Sequence, residues 1–183
     1  LAILNQGSVV DHFRITADGF PPSWLQGEAP VVQLMPGGKQ ELTLNIQPPL
    51  STRSRAGDYP ITLRAISQDN SQDSAEAKAQ LTVGAFTKFT SDLHPQRIRA
   101  GAAARITVQN QSNRPLNFNL SWRDRGEEVD FTPPSAKISV AEGQSGMAEF
   151  TARPRQAKWS GPERIFPFTI QVYLNGHDWL ERA

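Results

Sequence analysis

The chain repeats itself, and a repeat decides architecture before any single residue does. Ile3-Leu4-Asn5-Gln6 returns as Val108-Gln109-Asn110-Gln111, 105 residues later. The same spacing carries Phe13 onto Phe118 and Ile15 onto Leu120. A second block, Leu34-Met35-Pro36-Gly37, matches Val140-Ala141-Glu142-Gly143 at a spacing of 106, which also takes Leu44 to Phe150 and Pro48 to Pro154. A third, Tyr59-Pro60-Ile61-Thr62-Leu63, matches Phe166-Pro167-Phe168-Thr169-Ile170 at 107. Three blocks that stay in order with single-residue drift point to two homologous domains, 1–84 and 85–183, each of ordinary domain size.

Within each block the apolar period is two. Phe13 and Ile15 alternate with His12, Arg14 and Thr16; Leu42, Leu44 and Ile46 alternate with Glu41, Thr43 and Asn45. Tyr59, Ile61, Leu63 and Ala65 do the same, as do Ile106 and Val108, then Leu116 through Trp122, then Phe166 through Val172. Such alternation turns one face to a core and the other to water. Pro36-Gly37-Gly38, Pro133-Pro134 and Asn175-Gly176 punctuate the runs. The expected fold class is all-β, as two tandem antiparallel β-sandwich domains. The expected core comprises Phe13, Ile15, Leu44, Ile61, Leu63, Phe118, Leu120, Phe150, Phe168 and Ile170. Asn5 and Asn110 are expected to bond backbone where a strand turns over, a common role of Asn side chains. The segment Ser74–Leu81 is rich in Ala, Glu and Lys, which favour helix. Its alternation through Ala75, Ala77, Ala79, Leu81 and Val83 predicts a closing strand instead.

The repeat also predicts an unequal pair. The stretch 86–99 precedes the Asn-Gln block of the second domain without a counterpart ahead of Leu1, and the closing strand 75–83 has none after about residue 182. The first domain is therefore expected to lack a first strand and the second a last one. Open edges of that kind recruit other strands. Pairing is expected beside the strand holding Ile3 and beside the strand holding Phe168 and Ile170, and strand exchange between successive domains or subunits would follow. Leu1 opens straight into a strand-like segment, so the chain reads as part of something longer. Val83-Gly84-Ala85-Phe86 is a short linker, with Phe86 or Phe89 expected near the joint.

The order Asn5, Phe13-x-Ile15, Gly19-x-x-Pro22-x-Trp24, Leu34-x-Pro36-Gly37-Gly38, the Leu42–Pro48 strand and Ala56-Gly57-Asp58-Tyr59-x-Ile61 resembles the bacterial Ig-like domains found in strings in large proteins and beside glycosidases. It is similar in style to the cell-adhesion-related type. The resemblance covers most of the first domain and is fainter in the second, where Phe166 replaces the tyrosine and Glu142 the proline of the turn. It implies a fold and a role as spacer, scaffold or adhesion module. Tyr59 stands where sandwich folds place a tyrosine corner, its hydroxyl bonding backbone across a loop. Phe166 has no hydroxyl, so the second domain must fasten that corner differently.

Chemistry is thinly supplied. Cys is absent, which excludes disulfides, thiolate metal sites and cysteine nucleophiles. His12, His94 and His177 share no metal-ligand spacing. The loop Asp69-Asn70-Ser71-Gln72-Asp73 begins like a calcium loop, but Ser74 and Gln80 stand where Gly and Glu are needed. No nucleophile elbow, phosphate loop or dinucleotide motif occurs. No enzyme activity, cofactor or metal is expected. The net charge is +1, which argues against purely electrostatic binding to nucleic acid, and no apolar run is long enough for membrane insertion in this piece.

The candidate binding residues are Trp159, in a loop with no periodic reason for burial, and the pairs Arg53/Arg55 and Arg153/Arg155. On a strand, residues i and i+2 share a face, so such a pair can grip an anion. Trp122 reads as core and Trp24 as a cap on the sandwich end. The expected function is a non-catalytic structural or protein-interaction region (spacer, scaffold or adhesion module) of a larger bacterial protein, in an extracellular or cell-envelope setting. Its partners would be other proteins or neighbouring domains of the same chain. The alternative is a ligand- or carbohydrate-binding accessory module beside an enzyme domain.

Overall fold

In the computed structural model, which describes residues 1–28, 30–156 and 164–175, the chain is made of strands and turns with one short 3-10 segment, Pro22–Trp24. No α-helix occurs among the described residues. The chain divides into two compact units, Leu1–Gly84 and Ala85–Ala183. Unit 1 contains β1 (Ala2–Leu4), β2 (Asp11–Asp18), β3 (Val31–Leu34), β4 (Lys39–Glu41), β5 (Gly57–Ser67) and β6 (Ser74–Val83). They form two antiparallel sheets, β1-β4 and β3-β2-β5-β6. Unit 2 contains β7 (Phe89–His94), β8 (Ala103–Asn110), β9 (Leu116–Asp124), β10 (Val129–Thr132), β11 (Ser135–Val140), β12 (Ser145–Pro154) and β13 (Phe168–Leu174). Its sheets are β10-β12-β8-β7 and β11-β9-β13. Each unit is thus a β-sandwich.

The repeat holds residue by residue in the pairing. Ile3 lies opposite Gln40 and Val108 opposite Gly146. Phe13 pairs with Val32 and Phe118 with Ile138. Ile15 pairs with Ala65 and Leu120 with Val172. Register is fixed this tightly because a slip of one residue would turn every core side chain to water.

A buried asparagine fastens both units in the same way. The Asn5 Nδ2 donates to the carbonyls of Val9 and Leu34, both at 2.9 Å, and its Oδ1 accepts the Gly7 N–H at 2.8 Å. Its own N–H donates to Gly38 O, and its carbonyl accepts the Gly37 N–H. In unit 2, Asn110 Nδ2 donates to Arg114 O at 2.9 Å and Val140 O at 3.0 Å, and Oδ1 accepts the Ser112 N–H at 2.9 Å. Asn110 N–H donates to Gln144 O and Gly143 N–H to Asn110 O. Every partner is shifted by the repeat spacing. Asn5 and Asn110 are 2% and 0% exposed, so these groups have no water to fall back on. The clamp needs a tight turn beside it. Gly38 N–H bonds Met35 O and Gln144 N–H bonds Ala141 O, with Gly37 and Gly143 both at φ 72°. That is the type II pattern, in which the third residue must be left-handed and is therefore glycine. Glu142 takes the place of Pro36 without changing the turn, because the glycine carries it.

The cores differ in size. In unit 2, β8 and β12 contribute Ala104, Ile106, Val108, Ala148 and Phe150, which pack against Leu116, Phe118, Leu120, Trp122 and Val140 of β9 and β11. Trp122 stacks on Phe150 at 4.4 Å, and its Nε1 donates to Pro133 O. In unit 1 the buried cluster is Ile3, Ile15, Val32 and Leu34, with Phe13, Leu42, Leu44 and Ala65 partly buried against it. Of the expected core, Ile15, Ile61, Phe118, Leu120 and Phe150 are fully buried; Phe13, Leu44, Leu63, Phe168 and Ile170 are partly so.

Two segments are decided by pairing rather than by their own composition. Ser74–Val83 is a strand despite its helical residues, because it forms a ladder with β5 from Gly57↔Val83 to Ile66↔Ser74. The period-two run through Leu42, Leu44 and Ile46 is not a full strand: β4 ends at Glu41, and one bridge joins Ile46 to Leu25. Beyond the β1–β4 ladder the Leu42 N–H donates to Leu1 O. In unit 2 the matching β12 runs for ten residues between β8 and β10.

Asn110→Ala should lower the stability of unit 2 by roughly 2–4 kcal/mol, since it strands two carbonyls and an N–H in the interior. Phe118→Ala should cost about 3–5 kcal/mol, and the matched Phe13→Ala clearly less, because Phe13 is only partly buried. Urea unfolding followed by circular dichroism checks both. Equal costs for the two phenylalanines would contradict the difference in burial.

Candidate functional site

The candidate residues divide between the two units. Arg53 and Arg55 lie on the exposed loop before β5, where the Arg55 carbonyl accepts the Tyr59 hydroxyl at 2.9 Å. This is the expected tyrosine corner. The Tyr59 ring stands edge-on to Trp24 at 5.1 Å, and Trp24, only 2% exposed, closes that end of unit 1. In unit 2 Phe166 replaces the tyrosine, and the Arg164 guanidinium lies over its ring at 5.0 Å from the centroid. A cation–π contact is therefore present at the corner where the hydroxyl bond cannot form. Trp159, Trp179 and His177 lie outside the described residues.

Arg153 and Arg155 close the far end of β12 with different partners. Arg153 lies across the turn at Gly101, where an added Cβ would sit 3.0 Å from its Nε. Arg155 Nε donates to Asp130 at 2.8 Å. That hydrogen bond, then the charge of Asp130, raises the Arg155 guanidinium above its already high ordinary pKa. Beside it is a cleft of about 340 Å³ lined by Gly126, Glu127, Glu128, Arg155, Gln156, Arg164 and Phe166. Arg164 meets Glu128 at 3.1 Å, with both side chains about half exposed. The cleft thus pairs cations with carboxylates at its own rim. It offers an incoming ligand no unmatched charge from these pairs. No group of three or more His, Cys, Asp or Glu placed to hold a metal occurs among the described residues. Trp122 serves the core, as the alternation indicates.

The more distinctive surfaces are two strand edges. In unit 2, β8 lies between β12 and β7; its counterpart β1 in unit 1 has only β4 beside it among the described residues. In unit 1, β5 lies between β2 and β6; its counterpart β13 in unit 2 has only β9. Each unit therefore leaves bare, among the described residues, the edge that the other unit covers. The alternation of β1 places the N–H groups of Ala2, Leu4 and Gln6 on the bare side, because the Asn5 N–H is committed to Gly38. Gln111, the residue matching Gln6, donates its N–H to Lys88 O at the head of β7. Sequence reasoning located both edges through the repeat, and missed the cleft, whose residues come from segments with no shared motif.

No family model matches the chain, and no curated protein matches it, so function must be read from the molecule itself.

Glu128→Gln should shift unit 2 stability by no more than about 1 kcal/mol at low salt, the usual range for exposed ion pairs, with the difference vanishing in high salt. Thermal denaturation at two salt concentrations checks this. A large, salt-independent loss would mean that the cleft is structural.

Proposed function

We propose that the chain is a non-catalytic structural and protein-interaction region of a larger bacterial protein, a spacer, scaffold or adhesion segment made of tandem Ig-like sandwiches. The observation that carries this reading is that its buried polar groups serve the fold. Asn5, Asn110 and Ser112 bond backbone at strand turns, and Ser67 accepts the Asn70 N–H in the β5–β6 hairpin. Polar groups poised for chemistry would instead face a cleft. The cleft beside Arg155 carries exposed ion pairs of opposite charge, Arg155 with Asp130 and Arg164 with Glu128. Sandwich domains in series present side-chain-rich faces and strand edges, and these suit contact with protein partners or with neighbouring domains.

Small-angle scattering of the chain in solution tests the spacer role. The expected profile is that of two separated bodies, with a maximum dimension well beyond that of a single compact globule of 183 residues. A single compact body would overturn the spacer reading. A glycan array with clear, saturable binding would favour the carbohydrate-binding accessory role instead.

A further inference from the structure

β6 stands last in the order β3-β2-β5-β6, so one side of it is a sheet edge among the described residues. The edge is long and regular. Its ten residues pair with β5 in one unbroken register, Gly57↔Val83 to Ile66↔Ser74, and Ser74 through Gln80 are all exposed. Edges are commonly blunted by shortness or by proline. Pro30 and Pro36 flank the four-residue β3, Pro133 and Pro134 separate β10 from β11, and Pro95 follows β7. Between residues 61 and 94 there is no proline. Nor does this edge depend on what precedes Leu1. In unit 2 the strand ahead of the Asn110 block is β7, and it lies along β8. A strand placed likewise in unit 1 would lie along β1 and leave the β6 edge as it is.

The ladder shows which groups face outward. The Ser67 N–H donates to Asp73 O at 3.0 Å, and Pro60, which has no N–H, lies opposite Gln80. The odd-numbered residues of β6 therefore hydrogen-bond β5, while Ser74, Glu76, Lys78 and Gln80 turn their N–H and C=O groups away from it. The two charges of β6 are Glu76 and Lys78. Glu76 meets Arg64 Nε at 2.7 Å, whereas Lys78 lies opposite Thr62, which offers it no charge.

We propose that this edge is a two-fold interface between two copies of the chain, in which β6 pairs antiparallel with β6 about Ala77. Glu76 of each copy then lies opposite Lys78 of the other, Ala75 opposite Ala79, and Ser74 opposite Gln80. Chemistry selects this register. Opposed residues must turn their backbone groups the same way, so even-numbered residues face even-numbered ones and the axis passes through a residue of β6. An axis through Glu76 would set glutamate against glutamate, and one through Lys78 lysine against lysine. An axis through Ala75 or Ala79 would leave both charges without an opposite one. Through Ala77 both are matched. The central Ala77 pair is of the kind not bonded across the new junction, where side chains approach most closely, and it carries only methyl groups. A guard against pairing would line the edge with one sign of charge; this edge has both, spaced to match themselves. The two-fold uses up both edges, so the contact closes at two copies.

Sedimentation of the full chain from micromolar to millimolar concentration tests this. A reversible monomer–dimer equilibrium is expected. Glu76→Lys and Lys78→Glu should each weaken it at least tenfold, since each sets like charges opposite one another twice. An equimolar mixture of the two variants should associate at least tenfold more tightly than either alone, because every opposed pair is again of opposite sign. In the unaltered chain, amide exchange at Glu76 and Lys78 should slow with rising concentration, while the Ala77 N–H, already bonded to β5, should not respond. A chain that stays monomeric at millimolar concentration, variants that associate as tightly as the unaltered chain, a mixture no tighter than its components, or protection confined to another edge would overturn the proposal. The inference does not rest on the spacer reading: sedimentation reads mass, and scattering at dilution reads the shape of one chain, so either can fail alone.

Discussion

The carboxamide of one asparagine in each unit is the joint on which the rest depends. It gives away both of its N–H donors and receives one N–H, all in a place closed to water. Those three bonds tie the strand carrying the asparagine to the loop that follows it and to the strand before the glycine turn. Because those segments belong to different sheets, the clamp sets how the two layers meet. Asp would lack the donors, Leu the whole set, and Gln would carry its amide too far out. A buried network of this kind adds specificity as well as energy, since each partner left unpaired would be costly.

Around that fixed joint the two units differ freely. The turn works with Pro36 or with Glu142, because Gly37 and Gly143 supply the left-handed residue. The corner is fastened by a tyrosine hydroxyl in one unit, and in the other an arginine lies over a phenylalanine ring. The larger difference, among the described residues, is in strand complement: β8 has two neighbours where β1 has one, and β5 has two where β13 has one. Function is better sought in what the second copy changes than in what it keeps.

Much of the fold was legible because the apolar period is two and the blocks recur. Ile15, Ile61, Phe118, Leu120 and Phe150 stand buried where alternation puts them, and Asn5 and Asn110 bond backbone where the repeat aligns them. Leu42–Ile46 misleads because alternation reports which face is apolar, whereas a strand is defined by its ladder of backbone hydrogen bonds. The cleft at Glu128 and Arg164 was not legible. Its residues sit 36 positions apart and meet only because β9, β12 and the segment before β13 converge. The arginine pairs were visible as a pattern, but spacing could not show that Arg155 is committed to Asp130 while Arg153 lies on a glycine turn.

The inequality of the two cores also has a consequence in time. Local opening needs less free energy where fewer apolar contacts must be given up, and amide exchange follows that gradient. Among the described residues the buried cluster of unit 1 has four members against ten in unit 2, so the amides of unit 1 are expected to exchange first.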